Sequence, residues 1–181
     1  QPLIIYKWSF DPPHKGHLHI METMQKKYPN HKALFSISVN NFDKWDVSSH
    51  EIIDRIKMIN TLWYPVILFW SALFKDNIDR VRLKNGQEII FPVWSDTVER
   101  ILNTYENKDQ IAQDFNSVRF EAFWREQFQC NSVEYEALFV QNNENPYEKV
   151  SSRSIRNNIH EHKENIPEKI RNFCINKYWH K

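Results

Sequence analysis

The chain holds two glycines, Gly16 and Gly86, in 181 residues. An α/β nucleotide-binding domain uses several glycines where backbone meets phosphate, so almost all such close approaches are missing. Cysteine is as scarce: Cys130 and Cys174 lie far apart and match no metal-ligand spacing. A disulfide framework is thereby disfavoured and a reducing, intracellular setting is expected, either the cytoplasm or an organelle matrix such as the mitochondrion. No apolar run is long enough to span a bilayer; the longest, Thr61 to Phe74, is broken by Pro65 and Ser71. Neither sign of charge dominates, with 24 basic and 23 acidic residues. That balance argues against nucleic acid and membrane surfaces as partners. No linker, repeat or low-complexity tract divides the chain, so one domain over 1–181 is expected. The first residue is Gln1 rather than Met, which leaves room for a processed or trimmed start.

Tryptophan, by contrast, is abundant, with seven residues. Apolar and polar segments alternate along the chain in a strand–helix rhythm. Strands are predicted at Leu3–Trp8, Ala33–Val39, Val66–Phe69, Ile89–Val93 and Tyr135–Val140. Helices are predicted at His17–Tyr28, from Ser48-Ser49 to about Leu62, at Thr97–Tyr105 and at Ser117–Phe128, with two more opening at Ser152 and Pro167. Gln141–Lys149 reads as a polar loop. Five strands separated by helices predict a Rossmann-like, doubly wound parallel five-stranded sheet with helices on both faces. Ligands bind such sheets at the carboxyl ends of the strands, near the topological switch point.

One of the two glycines sits at that place. After the first strand comes Ser9-Phe10-Asp11-Pro12-Pro13-His14-Lys15-Gly16-His17. A helix start offers unpaired N–H groups and the positive end of the helix dipole. Two histidines three apart can face one anion there, which makes the turn a phosphate site on physical grounds. The competing reading is a surface turn with two solvated histidines. A second cluster, Val150-Ser151-Ser152-Arg153-Ser154-Ile155-Arg156, places serines before a helix and an arginine one turn in, a set suited to holding phosphate. Its competing reading is a capped helix with a surface arginine.

The Phe-Asp-Pro-x-His-x-Gly-His run resembles the HxGH nucleotidylyltransferase superfamily, and the serine–arginine run resembles that superfamily's second signature, with Arg153 standing where it has threonine. His50–Met58 with Arg55 and Met58, Asp96–Arg100, and the segment from Ile166-Pro167 to Cys174-Ile175 are similar to elements of nicotinamide or nicotinate mononucleotide adenylyltransferases. The resemblance implies transfer of a nucleotidyl group from ATP, with Mg²⁺, to a small phosphorylated acceptor, with release of pyrophosphate. It implies that His14 orients the triphosphate and that His17 stabilises the α-phosphoryl transition state. It gives Ser9, Phe10, Gly16, Asp96, Ser151, Ser152 and Arg156 to the nucleotide, and no direct protein ligand to the metal. Lys44, Trp8 and Trp94 are acceptor-side candidates, and Lys7 would add a positive charge near the phosphates. Asp11 reads as a turn-former with an indirect metal role as the alternative; Phe10 reads as packing beneath the loop.

The chain departs from the pattern at two glycine positions, occupied here by Trp8 and Trp94; Trp45 and Trp70 fall in neighbouring ligand-side loops. Two readings follow. Either these rings stack on a base or pyridine ring, or they fill the pocket. In the second case the chain is a catalytically silent subunit of a larger assembly, or a homo-oligomer, using an aromatic surface for a partner.

Overall fold

The structure is a computed structural model that describes residues 1–39, 48–82, 88–104, 108–116, 118–125, 139–142 and 145–179. Strands β1 (Leu3–Lys7), β2 (Lys32–Ser38), β3 (Val66–Phe69), β4 (Ile89–Trp94), β5 (Val118–Phe123) and β6 (Phe139–Asn142) form one parallel sheet in the order β3-β2-β1-β4-β5-β6. Helices α1 (Lys15–Lys27), α2 (Ser49–Thr61), α3 (Phe74–Arg82), α4 (Ser95–Thr104) and α5 (Lys108–Asp114) fall between the strands; α6 (Ser152–Asn157), α7 (Ile159–His162) and α8 (Glu168–Tyr178) follow β6. The order reverses between β1 and β4, which is the topological switch point of a doubly wound sheet.

Side chains alternate across the strands and build a core on each face. Ile4, Tyr6, Phe35, Ile37, Ile90, Trp94 and Phe123 pack with Ile20, Met21 and Met24 of α1 and Ile59 of α2. Ile5, Phe91, Val93, Phe120 and Ala122 pack on the other face with Ile78, Val98, Ile101, Ile111 and Phe115. A third cluster joins Met58 and Leu62 of α2 to Ile155, Ile159, Ile170, Cys174 and Tyr178, so the final helices close over the α1–α2 side. Helices on both faces and a Rossmann-like parallel sheet agree with the expectation from sequence.

The sheet has six strands rather than five, because Val118–Phe123 is a strand and not part of a helix over 117–128. It pairs in register with β4 from Ile89↔Val118 to Trp94↔Phe123. Its sequence mixes Arg119 and Glu121 with apolar residues, a pattern that a helix face also shows. Of the predicted strand Tyr135–Val140, residues 135–138 lie outside the described residues; β6 includes Phe139 and Val140 and runs on through Asn142 into the expected loop. Helices α3 and α5 were not expected; both dock short apolar stripes on the second core.

The two central strands separate towards their carboxyl ends. β1 pairs with β2 along its full length, Leu3↔Lys32 to Lys7↔Ser36. Its pairing with β4 stops at Leu3↔Ile89 and Ile4↔Ile90. Pro92, which has no N–H to give to a ladder, lies just beyond the last pair. The resulting crevice opens beneath the start of α1.

Candidate functional site

The β1–α1 turn is held from below by an aromatic anchor. Phe10 adopts φ 48, a left-handed conformation uncommon for a bulky residue. Its ring is fully buried and meets Phe35 at 4.7 Å, His17 at 5.1 Å and Tyr6 at 5.3 Å between centroids. This packing carries a backbone strain of about 1–3 kcal/mol and directs the following residues over the crevice. Phe10 is thus the packing residue the sequence suggested.

His14 precedes the first turn of α1, and its ring stacks on that of His17 at 3.6 Å. The His14 backbone N–H donates to His17 Nδ1 at 3.1 Å. Nδ1 of His17 is therefore an acceptor, and the neutral ring carries its proton on Nε2. Both imidazoles are fully buried, yet His17 Nε2 and both ring nitrogens of His14 have no hydrogen-bond partner. Burial first, and then Arg125, lower the His14 imidazole to about 3. His17 is held well below its ordinary range by burial first, then by His14 and by Arg125. Two neutral imidazoles with three unpartnered nitrogens at a helix N-terminus make a polar cradle.

Gly16 makes the stacked geometry fit. A methyl group there would come within 3.0 Å of His14 Cε1, 3.1 Å of His14 Nδ1 and 3.1 Å of Tyr147 Cβ. The glycine thus admits the His14 ring and the 145–150 segment rather than a backbone approach alone.

The rim is cationic and aromatic. Arg125 lies just past β5, with its guanidinium carbon 4.9 Å from the centroid of the fully buried Trp94 ring. It pairs with Asp96 Oδ2 at 3.2 Å and donates to the Val150 carbonyl at 3.4 Å, while its backbone N–H donates to Ser95 Oγ at 3.0 Å. Asp96 Oδ1 is buried and has no hydrogen-bond partner. Trp8 is half-buried, with its centroid 6.4 Å from that of His17; Trp94 is 6.5 Å away. Arg125 was missed in the sequence because 117–128 read as a helix. Read as a strand, the same stretch puts an arginine at the strand's carboxyl end, on the ligand side.

The serine–arginine run does reach this turn. Ser152 Oγ donates to the Pro12 carbonyl at 2.9 Å. Arg156 Nη1 donates to the Asp11 carbonyl and lies 3.4 Å from Asp11 Oδ2. Ser151 caps α6, accepting from the Ser154 N–H at 3.0 Å. Asp11 is more than a turn-former: Tyr178 donates to its Oδ1 at 2.6 Å, and Arg55 Nη2 lies 3.5 Å from its Oδ2. Arg55 and Tyr178 were not assigned roles from sequence.

One expectation is corrected. Lys7 points away from the histidines, to the opposite face of β1. Its ammonium donates to the Ala72 and Ser71 carbonyls at 2.5 and 3.3 Å and lies 4.8 Å from the Phe74 ring centroid. Side-chain alternation on β1 decides this, since Tyr6 already faces the imidazoles. Trp70 follows β3 at its carboxyl end, on the side of the sheet the sequence suggested, and is mostly exposed. Ser9 is half-buried at the start of the turn. Lys44 and Trp45 lie outside the described residues.

Among the described residues no group of three or more His, Cys, Asp or Glu could hold a metal ion. The one carboxylate in the turn, Asp11, is engaged by two arginines and a tyrosine. Among the described residues, no helix is long and apolar enough to cross a membrane.

A family model described as "Cytidylyltransferase-like" matches residues 5–158. No curated protein matches the chain. The fold is similar to that of a Plasmodium falciparum nicotinic acid mononucleotide adenylyltransferase complexed with NaAD. The TM-score is 0.73 at 18% identity, over 98% of this chain and 96% of that one. The same enzyme complexed with APC gives a TM-score of 0.74 at 16% identity, over 99% and 96%.

Proposed function

This chain belongs to the cytidylyltransferase-like family, and from that premise we propose that it transfers the adenylyl group of ATP to nicotinamide or nicotinate mononucleotide, releasing pyrophosphate. The observation that carries the reading is the stacked His14–His17 pair, buried at a helix N-terminus with three unpartnered ring nitrogens. Phosphate oxygens can accept from His17 Nε2–H and from the one protonated nitrogen of the neutral His14 ring. Two solved structures similar in fold are of a nicotinic acid mononucleotide adenylyltransferase, which supports the choice of acceptor.

In the proposed reaction a phosphate oxygen of the acceptor attacks the α-phosphorus of ATP. The bond from that phosphorus to the β-bridging oxygen breaks, and pyrophosphate leaves with its electron pair. The attacking oxygen is already anionic, so no general base is required. What the protein supplies is position and charge. His17 Nε2–H donates to the α-phosphoryl oxygens as charge builds on them, and His14 orients the chain behind it. Arg156, Ser151 and Ser152 hold the β- and γ-phosphates. Arg125 adds a second cation at the rim, and Asp96 Oδ1 accepts from a ribose hydroxyl. Trp8 is the ring placed to stack on a base or pyridine. Mg²⁺ would arrive on the ATP phosphates and neutralise part of their charge.

A second reading has its own support: Trp94 and both imidazoles are fully buried. In that reading Trp94 and Arg125 fill the crevice, and the fold serves as a structural subunit. Pyrophosphate release with Mg²⁺, ATP and each mononucleotide separates the two. The transferase reading expects release with one acceptor and a loss of at least about a hundredfold in His17→Ala, with the fold intact. A folded protein with no ATP binding and no release on either acceptor favours the filled crevice.

A further inference from the structure

Asp11 gathers its partners from three distant parts of the chain. Tyr178, the last residue of α8, donates to Oδ1 at 2.6 Å. Arg55 of α2 and Arg156 of α6 share Oδ2 at 3.5 and 3.4 Å, and Arg156 also donates to the Asp11 carbonyl. These partners are unequal. Tyr178 on α8 and Arg55 on α2 are both buried. Arg156 has the most exposed side chain of the three. Two guanidinium groups on one carboxylate also leave the cluster one positive charge in excess, beside the N-terminus of α1.

Resting on the transferase reading above, we propose that Tyr178 is a positioning residue for Arg156: with Arg55 it keeps the Asp11 carboxylate partnered, so that Arg156 is free to leave it for the nucleotide phosphates. Without ligand, Arg156 is stored on Asp11. When a polyphosphate enters the histidine cradle, the guanidinium exchanges a carboxylate oxygen for phosphate oxygens. A buried carboxylate abandoned by its cation would resist that exchange. The Tyr178 hydroxyl and the immobile Arg55 remove that resistance, because the carboxylate keeps a hydrogen bond and a counter-charge throughout. The last helix of the chain thereby sets how readily a phosphate-binding arginine is released.

The test is ATP affinity by calorimetry together with steady-state kinetics on the full chain. Tyr178→Phe removes one oxygen and leaves the ring packed in place. It is expected to weaken ATP binding about tenfold, raising KM for ATP with kcat within about twofold. Arg55→Lys, which withdraws the other resident partner, is expected to act in the same direction and covers the case of a misfolded Tyr178→Phe protein. Adding Asp11→Asn to Tyr178→Phe discharges the group that holds Arg156 and is expected to restore ATP affinity towards wild type. A merely structural tyrosine would lower the melting temperature and leave the affinity and KM unchanged; that result overturns the proposal alone. Wild-type protein that binds ATP but releases no pyrophosphate sinks the transferase reading, while the affinity comparison still decides the role of Tyr178. Wild-type protein that binds no ATP overturns both.

Discussion

Three individual residues carry unusual protonation behaviour, and each has a measurable consequence. His14 and His17 are neutral at physiological pH because burial opposes their charged forms. A histidine whose folded value lies below its unfolded 6.5 gives stability that is fully present above 6.5 and lost as pH falls towards the folded value, about 3 for His14. The melting temperature should therefore drop steeply between pH 6.5 and 3, and His14→Gln, which cannot titrate, should flatten part of that drop. Lys7 is lowered to about 7, mainly by burial, with Asp76 pulling the other way. The unfolded lysine stays protonated up to about 10.5, so between pH 7 and 10.5 the unfolded chain binds more protons. Stability should rise with pH across that window in the wild type and lose this contribution in Lys7→Met. Equal slopes in a thermal-melt series would show that Lys7 is not charged in the manner described.

Among the elements, the β1–α1 turn was legible in sequence and β5 was not, and the difference is physical. An apolar run, two prolines and a glycine flanked by histidines specify strand, turn and helix with local signals alone. Val118–Phe123 carries Glu121 and Arg119 among its apolar residues, a mixture that suits a helix face. Glu121, fully buried in that strand, meets Lys27 at 2.9 Å and the Tyr28 hydroxyl at the end of α1, a partner set no local reading could supply. Losing that strand also cost the sequence reading Arg125. The same logic hid Tyr178: its role comes from contact with Asp11 across 167 positions of chain. Two predictions belong to this scale. Gly16→Ala forces the His14 ring or Tyr147 to move by a few tenths of an ångström. It should cost about 1 kcal/mol or more in stability and weaken ATP binding, as read by denaturation and calorimetry. Ser151→Ala removes the cap of α6 and should cost about 1 kcal/mol by urea denaturation.

At the scale of the whole molecule, the site is where the sheet parts and the last helices close over it. The β1–β4 ladder stops at Ile4↔Ile90, the crevice beyond it receives Tyr6, His17 and Trp94, and the Asp11 cluster ties α2, α6 and α8 to the turn. A ligand that bridges the histidines and Arg156 joins parts of the chain that also meet at Asp11 and at the Ser152–Pro12 hydrogen bond. ATP at a hundred times its dissociation constant should add about 2.7 kcal/mol of stability, visible as a rise in melting temperature that His17→Ala and Arg156→Ala diminish. The doubly wound fold and the two end motifs could be read from residue order. The burial of Trp94 under Arg125 depends on packing between segments far apart in sequence and could not. The most direct measurement is the nitrogen NMR of the imidazoles at neutral pH, with and without ATP. The account predicts neutral rings without ligand, the His17 proton on Nε2, and large shifts of His17 Nε2 and the His14 nitrogens when ATP binds. Imidazole resonances that stay unmoved while ATP is bound elsewhere on the protein would contradict it.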